Sequence, residues 1–483
     1  MTVSSLSKII LGVKNIVVEK VEIEECNQDS QLIISARPHK RDMCRCSVCG
    51  QKSPRYDRGN GIRRWRAPDF GSGMKVYVEA EAPRVCCPEH GVVVQQFPWA
   101  RRHSKFTRNF EDTVIWLSLH LSRKAVAEYL RISWDTVGPI ISRVEKELSA
   151  NHHPLDNLVN IGIDETSYKK GHKYITVIVN HDTNTVVWAA KGHGKSVLEP
   201  FFKQLDIKRR SKIHLVSGDG ARWIKDTVEE YCANAEFCID PFHVVAWCTK
   251  VLDEVRREEW NKARAELAKE KKEKSGRGRP KGGKKQKSSA EQRVEAVKSS
   301  KYSLLMNPEN LSETYQAKLK QLLLHDKRLA TAYRLKEELR LIFKLSPDEV
   351  SAALDKWRRR AWSCRIEQFV KLQRKIRRHK NAIIATITNG ISNARIEATN
   401  NKIKLSVRMA YGFRNIDNLI SMIMLRCGGL NIGLPGRAQR IYPTLSREGS
   451  NMPDFLFSLQ HSSFFLSLDT TFPLTVINHL FSF

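Results

Sequence analysis

The sequence has no uninterrupted apolar run of about 18 residues, which is the length that a membrane-spanning helix needs. The N-terminal segment MTVSSLSKIILGVKN also lacks the full apolar core and the small-residue cleavage site of a secretory signal. We therefore expect neither a membrane span nor secretion. Acidic residues are also few relative to basic ones, since the sequence has 52 Asp and Glu but 82 Lys and Arg.

The resulting formal net charge of +30 far exceeds what solubility requires. A surface this basic usually binds a polyanion, so nucleic acid is the predicted partner. The expected location is the cytoplasm, in association with the nucleoid. With 483 residues and about 150 residues per domain, the chain should contain roughly three domains.

The cysteines are concentrated near the N-terminus, where six of the eleven occur within the first 90 residues. Several are too close together for a simple disulfide framework, which favours metal binding in a reducing compartment. Two pairs of ligands with two-residue gaps suit tetrahedral, structural Zn²⁺, namely Cys46, Cys49, Cys87 and His90. Cys44 and Cys86 lie close to these pairs in the sequence and are alternative ligands.

From Phe106 to Leu148, apolar residues recur at spacings of three to four, which indicates a compact helical unit. A helix over 122–130, a tight turn and a second helix over 134–144, capped by Ser133, match a helix-turn-helix. Pro139 should kink the second helix, because proline removes a backbone hydrogen bond. A helical hairpin without DNA binding is the alternative.

In the DNA-binding interpretation, the start of the second helix faces a groove of the duplex. Trp134 and Thr136 would contact the bases there, with Asp135 beside them. Arg123, Lys124 and the basic segment 101–103 would contact phosphates.

From residue 158 the pattern changes to short β-branched runs separated by turns. Three strands in a meander, a helix, a strand, a helix and a further strand predict a mixed α/β sheet. The corresponding ranges are 158–165, 174–179, 185–190, 196–205, 213–217, 223–232 and 236–239.

Two carboxylates occur at strand ends of this sheet. Asp164 ends the first strand and Asp219 follows the fourth, so they converge if these strands are neighbours. Converging carboxylates repel one another unless a cation joins them, and hard ions such as Mg²⁺ take oxygen ligands. We predict a metal-dependent phosphoryl-transfer site. Glu397 is the best candidate for a third carboxylate, although spacing alone does not choose it over Glu349.

The helix that carries Glu397 should have one polar face and one apolar face. Asn401, Lys404 and Arg408 share the face of Glu397, which places bases for DNA binding beside the acid. The adjacent apolar stripe would pack on the sheet and consists of Ile396, Ile403 and Val407.

A basic region separates the second and third carboxylates. Residues 269–287 carry ten positive and two negative charges and cannot fold alone. Within them, Arg277 and Arg279 match the Arg-Gly-Arg-Pro core of an AT-hook, and a flexible cationic insert is the alternative. We predict helices over 312–344, from Ser346-Pro347 onward, and over 357–380 with a basic face.

Five motifs in this order resemble bacterial insertion-sequence transposases of the L-three family. They are Arg84-Val-Cys-Cys87-Pro-Glu-His90-Gly, Gly162-Ile-Asp164-Glu, Ser217-Gly-Asp219-Gly, Asp240-Pro-Phe-His243-Val-Val, and Asn393-Ala-Arg-Ile-Glu397-Ala-Thr-Asn-Asn401-Lys-Ile-Lys with its continuation Ala410-Tyr-Gly-Phe-Arg414-Asn. The resemblance implies an RNase H-like domain in which Asp164, Asp219 and Glu397 bind Mg²⁺ or Mn²⁺ as a catalytic triad. It also implies that Asp240 and His243 support the site.

The expected architecture is a multidomain α/β protein. It comprises a zinc-binding domain (1–100), a helix-turn-helix (101–150), an RNase H-like mixed-sheet domain in two parts (155–260 and 381–436), a basic helical insertion (261–380) and an apolar tail of unassigned role (437–483).

The predicted function is a DNA transposase that binds the terminal inverted repeats of its element, cuts them and joins them to target DNA. Its partner is double-stranded DNA, on which we expect a homodimer or larger assembly. The alternatives are a non-catalytic DNA-binding derivative and an RNase H-like nuclease without strand transfer.

Overall fold

The computed structural model describes residues 5, 11–13, 15–26, 29–71, 73–273, 287–390 and 394–435. These residues belong to one compact unit that comprises Met1–Arg437. The AT-hook match and the tail after residue 436 lie outside the described residues. No helix in the described part is long and apolar enough to cross a membrane.

Two small sheets form the N-terminal region. The strands of both are β1 (Ile16–Cys26), β2 (Asp29–Pro38), β3 (Arg55–Asp57), β4 (Ile62–Phe70), β5 (Met74–Glu81), β6 (Arg84–Cys87) and β7 (Gly91–Val94). The larger sheet has the order β1-β2-β5-β4, and the smaller has the order β3-β6-β7. Trp65, Phe97 and Trp99 pack together in a core beside the larger sheet.

Three helices follow, α1 (Arg108–His120), α2 (Arg123–Leu130) and α3 (Trp134–Ala150). Helices α2 and α3 are the predicted helix-turn-helix, joined by a turn in which Arg131 has a φ of 53°. Helix α3 continues through Pro139 as one element. The predicted cap is wrong in detail, because the Ser133 hydroxyl donates to the Asp135 carboxylate at 3.0 Å and makes no capping bond to the backbone.

The predicted mixed sheet is confirmed. Its strands are β8 (Asn160–Lys169), β9 (Lys173–Asn180), β10 (Thr185–Lys191), β11 (Leu215–Gly218) and β12 (Glu236–Ile239). The order is β10-β9-β8-β11-β12, with an antiparallel meander on one side and β11 and β12 parallel to β8 on the other. The intervening helices are α4 (Lys195–Gln204), α5 (Ile207–Arg210) and α6 (Arg222–Tyr231).

The insertion is helical, as predicted. The α-helices that follow β12 and continue through the insertion are α7 (Pro241–Glu273), α8 (Ser289–Ser299), α9 (Lys301–Leu305), α10 (Glu313–His325), α11 (Lys327–Ile342), α12 (Pro347–Ser363), α13 (Glu367–Arg378) and α14 (Lys380–Thr388). The single helix predicted over 357–380 is wrong, because Arg365 adopts a left-handed φ of 59° and divides the segment. Ser346 precedes the first-turn Pro347 as predicted, but its hydroxyl bonds the Glu349 carboxylate at 2.8 Å instead of a backbone N–H.

The last two helices are α15 (Ala394–Met409) and α16 (Ile416–Cys427). One face of the central sheet packs against the insertion in a large core that includes Ile163, Phe201 and Trp357. The opposite face shares a core with the helix-turn-helix, α15 and α16. The helix-turn-helix therefore joins the sheet through α16, which packs against α3 on one side and β10 on the other.

Candidate active site and zinc cluster

The central sheet brings Asp164 and Asp219 onto neighbouring strands. Ser217 of β11 pairs with Gly162 of β8 in parallel. Asp219 and Asp164 each come two residues later, so both lie just past the segment that pairs β8 with β11. The prediction that Asp164 ends its strand is wrong, because β8 continues to Lys169 along β9. The convergence predicted from the sequence depends on this pairing, which the structure contains.

The Asp164 carboxylate is held by hydrogen bonds on both oxygens. Its Oδ1 accepts the backbone N–H of Glu165 at 2.7 Å, and its Oδ2 accepts the side-chain amide of Asn400. Burial raises the pKa of Asp164, the Asp219 charge adds to the rise, and His243 and both hydrogen bonds oppose it. A buried carboxylate beside a second one is a site that a cation would stabilise.

Glu165 adds a further acidic group at this position. Its Oε1 is buried without a hydrogen-bond partner among the described residues. Burial raises the pKa of Glu165, and the charge of Asp219 raises it further. Asp164 and Asp219 supply the carboxylate oxygens that a hard divalent ion prefers, whereas Glu165, the next residue of β8, points to the opposite face of the strand.

Helix α15 lies directly on β8 because Gly162 has no side chain. A Cβ at Gly162 would come within 2.2 Å of Ile396 Cδ1 and 2.8 Å of His181 Nε2. Ile396, Ile403 and Val407 pack in the core of this face, as the predicted apolar stripe requires. This contact fixes the start of α15 beside Asp164.

Glu397 is exposed at that start, three residues before Asn400. In the described structure the three carboxylates of Asp164, Asp219 and Glu397 do not form a compact cluster of ligand atoms. The sequence placed Asn401 beside the acid, whereas Asn400 is the residue that reaches Asp164. The signal for Asn400 is its position four residues after Ile396, on the side of the helix that faces the sheet.

The surroundings of Asp219 include residues that the sequence did not indicate. Asp219 Oδ1 accepts the backbone N–H of Ala221 at 2.9 Å. A Cβ at Gly220 would come within 2.4 Å of the Trp247 ring, and Lys375 Nζ lies 3.3 Å from the centre of that ring. Burial lowers the pKa of Lys375, while the charge of Asp219 opposes the shift.

Asp240 lies at the start of α7, behind these residues. Its Oδ1 accepts the backbone N–H of Phe242 at 2.9 Å, and its Oδ2 is 3.7 Å from His243 Nε2. Pro241 occupies the first turn, where a missing N–H costs nothing. Asp240 therefore caps the start of α7 and lies beside His243 in its first turn.

The cysteine cluster forms in the N-terminal region. The ligand atoms of Cys46, Cys49, Cys87 and His90 all lie within 4.8 Å of one another. The distance between Cys49 Sγ and Cys87 Sγ is 3.8 Å, and that between Cys87 Sγ and His90 Nδ1 is 3.6 Å. Tetrahedral zinc with its usual bond lengths separates two sulfurs by about 3.8 Å and sulfur from nitrogen by about 3.6 Å. The residues present therefore fit zinc.

Two similar turns present these ligands. Each ligand pair is followed by a glycine with positive φ, Gly50 at 73° and Gly91 at 65°. Cys44 bonds Gln95 through its backbone N–H, and the neighbour of Cys87, Cys86, is exposed on β6. Neither alternative ligand belongs to the cluster.

The predicted DNA contacts of the helix-turn-helix differ in exposure. Lys124 and Trp134 are exposed, with 83% of the Lys124 side chain and 47% of Trp134 accessible. Arg123 is half-buried over the ring of Phe413, and burial lowers its pKa. Thr136 is partly buried.

Arg101 faces the interior rather than solvent. Only 8% of its side chain is exposed, and it pairs with Glu111, Asp112 and Glu147 of the helical unit. The expectation that it contacts phosphate is therefore wrong, because its guanidinium is already occupied by carboxylates. Lys404 and Arg408 are exposed on α15 as expected, and Arg277 and Arg279 lie outside the described residues.

Comparison with known families decides the classification. A family model of the ISL3 group described as "Transposase" matches residues 161–423, more than half of the chain. The chain belongs to the ISL3 family of transposases. A model described as "Helix-turn-helix domain of transposase family ISL3" matches residues 95–144, and one described as "zinc-finger of transposase IS204/IS1001/IS1096/IS1165" matches residues 42–90.

Relatives of this ISL3 transposase match nearly end to end. The transposase for insertion sequence element IS1557 of Mycobacterium tuberculosis is 46% identical over 435 residues, covering 89% of this chain and 97% of the relative. The transposase for IS1001 of Bordetella parapertussis is 26% identical over 402 residues, covering 82% and 92%. The protein is thus a transposase with a DNA-binding helix-turn-helix, a zinc-finger domain and a DDE catalytic domain, and the predicted family and fold class are confirmed.

Proposed function

We propose that this transposase binds the terminal inverted repeats of its own element, cuts the DNA there and joins the freed 3′-OH to target DNA. The observation that carries this proposal is the pair Asp164 and Asp219 on parallel neighbouring strands, beneath a helix whose Asn400 bonds Asp164. An acidic pair next to basic side chains suits the hydrolysis and transfer of phosphodiesters.

Asp164, Asp219 and Glu397 are the proposed ligands of Mg²⁺ or Mn²⁺. When bound, the divalent ions would activate the attacking hydroxyl and stabilise charge on the leaving oxygen. Glu397, exposed one helical turn before Asn400, would complete the set on substrate binding. The buried carboxylate of Asp164 beside the charge of Asp219 supports this assignment, because a cation would remove the electrostatic cost of the pair.

Neighbouring residues have positioning roles in this proposal. Asn400 holds the Asp164 carboxylate in one orientation, and the contact of Ile396 with Gly162 sets the distance between helix and strand. Lys404 and Arg408 on the same helix, together with Arg123, Lys124, Trp134 and Thr136 of the helix-turn-helix, are proposed to contact DNA. Arg277 and Arg279 are proposed as further contacts in the basic insertion.

In the zinc-finger domain, Cys46, Cys49, Cys87 and His90 are the proposed Zn²⁺ ligands. Four protein ligands leave no position for a substrate, so the ion is structural. Zinc binding would therefore stabilise the folded state of the two turns, around which the strands are short.

The experiment uses the purified full-length chain and labelled duplexes that carry the inverted repeats flanking its gene. With Mg²⁺ or Mn²⁺ we expect nicking at the repeat ends and transfer of the cut strand into a plasmid. A non-catalytic derivative would bind without nicking, and a simple nuclease would nick without joining. Sedimentation of the DNA complex would show whether a homodimer or larger assembly forms.

A further inference from the structure

A cleft between α12 and α13 of the insertion carries basic side chains on both walls. Arg359 and Trp362 of α12 face Arg374 and Arg377 of α13 across it. Neither the zinc-finger nor the helix-turn-helix domain contributes to this surface.

The acidic groups near the cleft are already paired. Asp355 accepts hydrogen bonds from Arg358 at 2.8 Å and from Lys380 at 2.7 Å. In the described part of the chain, Arg359, Arg374 and Arg377 form no ion pair, and all three are exposed. Because the one carboxylate that lines the cleft is already paired, the three guanidinium groups repel one another, and a polyanion would relieve that repulsion.

Trp362 is the second observation. It has 66% of its surface exposed, although it is one of the largest apolar side chains in the insertion. An exposed indole among arginines is the combination that nucleic-acid-binding surfaces use, because the ring contacts sugars or bases while the arginines contact phosphates.

Helix α13 connects this cleft to the catalytic residues. Lys375 lies between Arg374 and Arg377 in sequence and rests on the Trp247 ring, which packs against Gly220 beside Asp219. His379, directly after the helix, also contacts Trp247, with 5.4 Å between ring centres. Helix α13 therefore carries one basic group on its Trp247 side and others in the cleft on another side, so a duplex that extends past both would contact both.

We propose that the cleft binds the phosphate backbone of the duplex DNA on which the catalytic site acts, with Arg359, Arg374 and Arg377 as phosphate contacts and Trp362 packed against the sugars. The proposal rests on the proposed function for the identity of the DNA. It assigns to the insertion a DNA-binding surface separate from the helix-turn-helix.

The test measures the affinity of the full-length chain for a fluorescein-labelled mixed-sequence duplex over a range of salt concentrations. Replacing Arg359, Arg374 and Arg377 together with Gln should weaken binding about 10-fold or more and reduce the slope of log K against log salt by about 3. The matched control replaces three exposed lysines elsewhere in the insertion, Lys298, Lys301 and Lys320, with Gln. The control should change the slope by less than about 1.

Trp362→Ala should weaken duplex binding about 5-fold, with Trp362→Phe retaining most of the affinity, because an aromatic ring preserves the contact. Melting curves check that each variant is folded. An unchanged slope in the triple variant, an equal change in the control, or a loss confined to single-stranded DNA of the same length would overturn the proposal. These readouts are independent of cleavage. If the triple variant shows the reduced slope but the wild-type chain never cuts, the proposed function alone is contradicted. If the wild-type chain cuts but the triple variant keeps the wild-type slope, the cleft proposal alone is contradicted.

Discussion

The side-chain amide of Asn400 donates a hydrogen bond to Oδ2 of Asp164, across 236 positions of sequence and the whole insertion. Asn400 is buried and its neighbour Asn401 is exposed. The bond therefore connects the part of the catalytic domain before the insertion, which carries Asp164, with the part after it, which carries Asn400.

Asn400→Ala should lower the rate of DNA cleavage about 10-fold or more, because residues that orient a metal ligand typically contribute that much. Asn401→Ala is the matched control and should cut at close to the wild-type rate. Single-turnover cleavage of a labelled duplex measures both. Equal rates for the two variants would remove Asn400 from the site.

Gly162→Ala should destabilise the chain by about 1–3 kcal/mol and slow cleavage, because the added methyl displaces α15 from β8. Adding Ile396→Val removes the Cδ1 atom that would clash and should restore part of both losses. Adding Ile403→Val, a change at another buried position on the same helix, should only destabilise further. Urea unfolding and cleavage assays provide the readouts, and rescue by both second changes would refute the proposed contact.

Cys87→Ser should remove the zinc from the N-terminal region, whereas Cys86→Ser should retain one zinc per chain. These neighbours differ because only the first belongs to the ligand cluster. Metal analysis of the two purified variants measures the content, and near-ultraviolet circular dichroism reports the loss of structure. Full zinc in the Cys87→Ser protein would exclude the proposed ligand set.

Arg101→Met should reduce the free energy of unfolding by about 3 kcal/mol, because it leaves the fully buried Glu111 with a weaker set of partners. The exposed neighbour provides the control, since Arg102→Met should change stability by less than about 0.5 kcal/mol. Urea denaturation measures both. If Arg101 instead served mainly as a phosphate contact, its substitution would weaken DNA binding with little loss of stability.

Much of the fold could be predicted from local patterns. The meander and the later strands have β-branched runs bounded by turns, and the two cysteine turns have fixed spacing, so sequence alone located them. The break at Arg365 was not predictable from periodicity, because the helical pattern continues across a residue whose backbone leaves the helical region.

The catalytic neighbourhood was harder to predict in detail. Helical spacing placed bases beside Glu397, but the choice between Asn400 and Asn401 depends on the rotation of α15 on the sheet. Trp247 packs against Gly220, and Lys375 lies on the Trp247 ring, only because α7 and α13 fold back beside the sheet, and no local pattern contains these contacts. The burial of Arg101 likewise arises from carboxylates on two separate helices.

The central claim is that Asp164, Asp219 and Glu397 act as one metal-dependent catalytic set. The most direct measurement compares cleavage of labelled end DNA in Mg²⁺ by Asp164→Asn, Asp219→Asn, Glu397→Gln and the control Asp226→Asn, an exposed acid on α6. The three site variants should bind the DNA with nearly wild-type affinity and show no detectable nicking, while the control cuts normally. Normal nicking by any one of the three site variants would contradict the claim for that residue.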